Sequence, residues 1–114
     1  MTSIQMGNKI LEFIEKNGDA SFVNIMRILG DEGEGDLCLQ ILPNVILWCD
    51  MSETAVQAIQ WLKKQKSIEP RSCSPLIYMI DGWSLNLPIA KRPRKQGYKT
   101  LHWIPLLFTK KRAK

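Results

Sequence analysis

Thirteen of the sixteen lysines and arginines lie after residue 60, where only Glu69 and Asp81 oppose them. They are grouped. Lys63, Lys64 and Lys66 come first and Arg71 follows. Lys91, Arg92, Arg94, Lys95 and Lys99 then fill a segment that contains Pro93 and Gly97. Lys110, Lys111, Arg112 and Lys114 close the chain. Residues 61–114 carry a balance of +11 and residues 1–60 one of −6, so the net +5 hides a separation of charge. That separation is a statement about the field around the molecule. The second half attracts a polyanion, and grouped cations with little acid between them suit a phosphate backbone.

Other chemistry is sparse. His102 is the only histidine, and it stands beside Trp103 in an apolar stretch, with no Ser-His-Asp or Cys-His spacing around it. The glycines nearest one another, Gly33 and Gly35, sit in the acidic run Asp31 to Asp36, which would repel phosphate rather than cradle it. That run also lacks the alternating register of a calcium loop, so it reads as a flexible solvated loop. No paired catalytic carboxylates or metal-protease motif appear. These absences argue against an enzyme and against a cofactor or metal. Cys38, Cys49 and Cys73 cannot all pair within one chain, and none stands in a C-x-x-C pair. They read as three reduced, mostly buried thiols of a cytoplasmic protein.

A chain of 114 residues, 45% hydrophobic and 24% charged, has the length and composition of one globular domain, here residues 1–109 with 110–114 as a basic tail. No apolar run approaches the roughly 20 residues that span a bilayer. The first 30 residues show no basic start followed by an apolar stretch, so neither a membrane segment nor a secretory signal is expected.

The elements that must position the charges are legible in part. Met6, Ile10, Phe13 and Ile14 recur at helical spacing, which predicts a helix over 4–16 stopped by Asn17-Gly18. Ser21 is an N-cap for a second helix over 22–29, ended by Gly30. Leu37 to Leu42 reads as one or two helical turns. The unbroken run Val45 to Trp48 after Pro43 leans to a short buried helix, because proline suits a first helical position. Residues 52–66 form the clearest helix. Ser52 caps it, Ala55, Ile59 and Leu62 point inward with Val56 at the edge, and Thr54, Gln57, Trp61 and Lys64 lie opposite. The rest reads as β. Residues 67–71 are a strand candidate, Asp81-Gly82 a hairpin turn between 76–80 and 83–87, and 100–108 a last strand held at an edge by Pro105. The fold class expected is α+β, a helical first half followed by a small antiparallel sheet.

At 52–68 the pattern resembles the recognition helix of winged-helix domains. The family places a Ser or Asp cap, Thr-Val, Leu, Leu, a turning Gly and an Ile at fixed offsets. Here Ser52, Thr54-Ala55, Ile59, Leu62, Lys66 and Ile68 stand at those offsets, with Lys66 in the glycine's place. The stretch 46–50 lacks the alanine and glycine of the usual helix-turn-helix turn. The resemblance covers about residues 44–88.

It implies double-stranded DNA as partner and a role as a small transcriptional regulator or DNA-associated accessory factor. The helix 52–66 would lie in the major groove. Gln57 would meet a base edge, Thr54 a base or phosphate, and Lys63, Lys64 and Lys66 phosphates. Arg71 would sit near a wing tip, and Lys91, Arg92, Arg94, Lys95 and Lys99, together with the tail 110–114, would add charge along the backbone. Trp61 is unusual on a reading face. It would pack beneath the C-terminal segment or a second subunit, or the face would meet a protein, making the domain a protein-interaction module or homodimer.

Overall fold

Capping boxes open the first two helices in the computed structural model, which describes residues 1–91 and 95–111. Thr2 and Gln5 exchange side-chain-to-backbone bonds at the start of α1 (Ser3–Asn17), and Ser21 and Asn24 do so for α2 (Phe22–Leu29). Two orphan N–H groups are satisfied at each start. Gly18, at φ 93°, ends α1 as expected, and the short strand β1 (Asp19–Ser21) links the pair. Met6, Ile10 and Ile14 of α1 and Phe22, Val23, Ile25, Met26 and Leu29 of α2 are buried.

Residues 31–50 depart from the expectation of a loop followed by two short helical stretches. Gly30–Gly33 make one 3₁₀ turn, β2 spans Glu34–Leu42 and β3 spans Val45–Met51, paired antiparallel. Pro43-Asn44 is the turn between them, with Asn44 left-handed at φ 60°. Proline fixes the first turn residue and asparagine tolerates positive φ, so the pair makes a hairpin rather than a helix start. An unbroken apolar run has no period to separate a strand from a buried helix, and Val45, Ile46, Leu47 and Trp48 are all buried. The acidic run is likewise part of the 3₁₀ turn and the start of β2 rather than a free loop.

The hairpin brings Cys38 and Cys49 together one step beyond the Leu39–Trp48 pair, and they form a disulfide. Three reduced thiols were the expectation. It rested on the odd number of cysteines and the lack of a C-x-x-C pair, neither of which forbids two of the three from bridging once they are cross-strand neighbours. Cys73 remains a free thiol.

α3 (Glu53–Lys64) follows, capped by Ser52 Oγ, which accepts the Ala55 N–H at 3.1 Å. Ala55, Ala58, Ile59 and Leu62 are fully buried. At its end the Ser67 N–H reaches the Leu62 carbonyl at 3.1 Å and the Lys66 N–H reaches that of Lys63 at 3.0 Å. This closing pattern needs a left-handed residue, and Lys66 supplies it at φ 59°. A side chain there carries a steric penalty that glycine escapes. Lys66→Gly therefore raises stability by about 1 kcal/mol. A higher urea midpoint at unchanged slope is the expected reading, and an equal or lower midpoint contradicts it.

Beyond α3 come β4 (Ile68–Ser72), α4 (Pro75–Ile80), β5 (His102–Trp103) and β6 (Leu106–Lys110). The predicted 76–87 hairpin is not formed. Ser74 and Pro75 start a helix instead, and Gly82, at φ 79°, ends it. Its N–H bonds the Met79 carbonyl at 3.0 Å and that of Trp83 the Tyr78 carbonyl at 3.2 Å. The same Asp-Gly pair serves a hairpin turn or a helix end, and serine before proline selects the latter. The last strand is divided at Pro105. β6 is then central in its sheet rather than an edge, because the proline falls outside it. Lys110, assigned to the tail, is the last residue of β6, and the Lys111 N–H bonds the Ser67 carbonyl at 3.1 Å.

The molecule is α+β with two three-stranded sheets. One, ordered β1-β6-β4, is antiparallel. The other, β2-β3-β5, pairs β5 parallel to β3. A single aromatic cluster joins them. Phe22 packs edge-on against Phe108 at 5.3 Å and stacks on Trp48 at 6.1 Å, and Tyr78 meets Trp48 at 5.3 Å and Trp103 at 5.1 Å. Such offset and edge-on pairs add to the burial of large apolar area.

Candidate nucleic-acid interface

α3 keeps one face open. Glu53, Gln57, Gln60 and Lys64 are exposed at spacings of four, three and four residues, the repeat of a single helical stripe. Gln57 and Lys64 were expected there. Gln60 was missed, although it lies three residues after Gln57 and four before Lys64. Thr54 and Lys63 are half-buried at the border of the stripe. The Gln57 Nε2 donates to Glu53 Oε1 at 3.4 Å, a long bond that a base edge can replace.

Trp61 is not on the stripe. It is half-buried against α1, where a Cβ on Gly7 would lie 2.7 Å from its ring carbons Cε3 and Cζ3. The partner of this indole is therefore the first helix, not the C-terminal segment. Glycine is what lets α1 and α3 approach here. Helical spacing puts Trp61 only about 40° from Gln57, so the one signal for this packing was Gly7, a residue without a side chain inside an otherwise helical pattern.

The lysines at the end of α3 gain neighbours from the end of the chain. Ile68 pairs with Lys110 across β4 and β6, and Ser67 bonds to Lys111, so Lys110 and Lys111 stand beside Lys66. Lys64, Lys66 and Lys111 are exposed. Lys110 is engaged by Glu15 at 3.3 Å. Two of the three basic groups thus meet at one edge. Lys110 and Lys111 were expected only as part of a tail adding charge along the backbone, because strand pairing alone makes them neighbours of α3.

Arg71 lies inside β4 opposite Leu107, with Glu69 at 3.4 Å, and not at a wing tip. Lys91, Lys95 and Lys99 are exposed. The segment bearing the last two is tied to the other sheet, with the Tyr98 N–H on the Pro43 carbonyl at 3.0 Å. Arg92 and Arg94 lie outside the described residues, as do Arg112 and Lys114. His102 stacks on Tyr98 at 3.8 Å, and its Nδ1 lies 2.9 Å from the Thr100 carbonyl. Among the described residues no three His, Cys, Asp or Glu side chains gather as a metal set, and no helix is long and apolar enough to cross a membrane. No family model, curated protein or solved structure matches the chain.

Proposed function

We propose that the chain is a winged-helix DNA-binding protein, a small transcriptional regulator or DNA-associated accessory factor that docks α3 on duplex DNA. The observation that carries this reading is the exposed Gln57–Gln60–Lys64 stripe running into Lys66 and Lys111. Amide side chains suit base edges, and the cations beyond them suit phosphates. The resemblance gains support residue by residue. Ala55, Ile59 and Leu62 seat the helix, Lys66 takes the left-handed turn of the family's glycine, and Ile68 begins the strand after it.

The second reading, a protein-interaction module, moves from the Trp61 face to α4. There Leu76, Met79 and Ile80 are 62%, 59% and 84% exposed, and contiguous apolar exposure of this kind marks contact surfaces.

The test is a gel shift on random duplex DNA at two salt concentrations, with single-stranded DNA and RNA as competitors. The triple variant Lys64→Gln, Lys66→Gln, Lys111→Gln is compared with wild type. Each lost phosphate contact lowers the salt slope by about one unit, so the variant's slope falls by about three. Binding that ignores salt, or a variant indistinguishable from wild type, rejects the docking surface. No duplex binding at all, with capture of a protein that Ile80→Asp abolishes, favours the second reading.

A further inference from the structure

The disulfide lies where it can act on α3. Its two strands are held unevenly. Glu34 to Cys38 of β2 are all exposed, and the pairing with β3 shifts register at four places along the hairpin. This stretch therefore contributes little apolar burial and an interrupted ladder, the features of a segment that opens at low cost. The bond between Cys38 and Cys49 is its covalent hold.

The residues beside that stretch seat the start of α3. The Gly33 carbonyl accepts the Ser52 N–H at 2.7 Å, and the Glu32 carbonyl accepts the Ser52 hydroxyl at 2.8 Å. Ser52 is the helix cap. Gly35 fits so closely that a Cβ there would lie 2.7 Å from the Met51 carbonyl oxygen and from the Ser52 Cα. A cleft of about 580 Å³ runs along the same residues, lined by Glu34, Gly35, Cys49 and Asp50 among others. Cys38 is exposed to solvent.

We propose that Cys38–Cys49 is a thiol–disulfide exchange site that sets how firmly the N-terminus of α3 is held. The co-substrate is a dithiol reductant. One of its thiols, deprotonated, attacks the Cys38 sulfur and breaks the Cys38–Cys49 bond, so that Cys49 leaves as thiolate and Cys38 is held in a mixed disulfide with the reductant. The second reductant thiol then attacks its own mixed-disulfide sulfur and expels Cys38 as thiolate. The reductant ends as a disulfide, its two protons pass to Cys38 and Cys49, and the protein gains two electrons. Released from β3, residues 34–38 move more freely, and the carbonyls that hold Ser52 lose their fixed position. Cys73 stays out of the exchange. It is remote in the chain and half-buried, and burial, then the Asp19 carboxylate, pushes its thiol pKa up, which keeps it protonated.

The switch itself stands on geometry alone; its effect on DNA rests on the function proposed above. The experiment compares the air-oxidised chain, the same chain in dithiothreitol and the Cys38→Ser, Cys49→Ser variant by amide hydrogen exchange and by gel shift. Exchange at residues 34–38 and 52–56 is expected to rise roughly tenfold or more on reduction, with β4 and β6 unchanged. The variant should match the reduced chain in both buffers, and duplex affinity should fall with the cap's protection. Equal exchange in the oxidised and reduced chains overturns the switch, as does alkylation that finds Cys38 and Cys49 free under air. Should the variant not fold, the wild-type comparison decides alone. Altered exchange in a chain that binds no duplex in either state upholds the switch and rejects the DNA reading. Altered exchange with equal duplex affinity rejects their coupling.

Discussion

Tyr78→Phe lowers the unfolding free energy by about 2–4 kcal/mol, the largest loss expected from removing a single atom of this protein. The ring is fully buried in the aromatic cluster. Its hydroxyl donates to the Leu106 carbonyl at 2.6 Å and accepts the Phe22 N–H at 3.0 Å. Phe22 opens α2, so its N–H has no carbonyl inside the helix to turn to. Phenylalanine keeps the packing and strands a buried donor and a buried acceptor, each worth about 1–3 kcal/mol unsatisfied. Urea unfolding measures it. A loss below about 0.5 kcal/mol would mean that the bridge carries no weight.

The same residue predicts an alkaline limit. Burial, above all, raises the Tyr78 pKa above its ordinary 10.0. The folded chain holds this proton where the unfolded chain releases it. The associated stability is complete below pH 10.0 and is lost progressively as pH rises above it. The phenylalanine variant lacks that part of the alkaline slope.

Gly97→Ala is the second large effect, a loss of about 3 kcal/mol, or local release of the 95–102 segment if the rest of the fold tolerates it. Gly97 has φ 69°, and a Cβ there would lie 1.9 Å from the Pro43 carbonyl oxygen. The obstacle is backbone, which no rotamer change removes. Next to it the Tyr98 N–H bonds that same carbonyl, the Asn44 Nδ2 donates to the Tyr98 carbonyl at 2.7 Å, and the His102 N–H bonds the Asn44 carbonyl at 2.7 Å. Alanine adds the left-handed penalty and pries this clamp off the hairpin turn. Unfolding reads the stability. The His102 ring protons read the clamp, since they lie over the Tyr98 ring at 3.8 Å and lose their ring-current shift when it opens. Wild-type stability with unshifted His102 resonances would contradict the close approach.

The helices were readable because their signals are local. Ser21 and Ser52 cap the helices expected of them, Gly18 stops the first, and the buried stripes of α1 and α3 follow from spacing. The open face of α3 was half read. Gln57 and Lys64 were found, Gln60 was overlooked, and Trp61 was placed outward although it packs on Gly7. Around Pro43 and Asp81-Gly82 each residue pair had two uses. Pro43-Asn44 serves a helix start or a turn, and Asp-Gly a hairpin or a helix end, so the choice lay with partners far along the chain. Cys38 and Cys49 became neighbours only through that choice.

What the residues alone determined is the separation of charge, the three main helices with their caps, and an α+β class. These depend on contacts within four residues, or on composition, and need no partner to be decided. The tertiary structure decided that 37–50 is a hairpin and 75–80 a helix, that Cys38 bonds Cys49, and that Lys110 and Lys111 lie beside Lys66. Strand pairing joins residues tens of positions apart. A short apolar run has no face of its own until a neighbour covers one side of it.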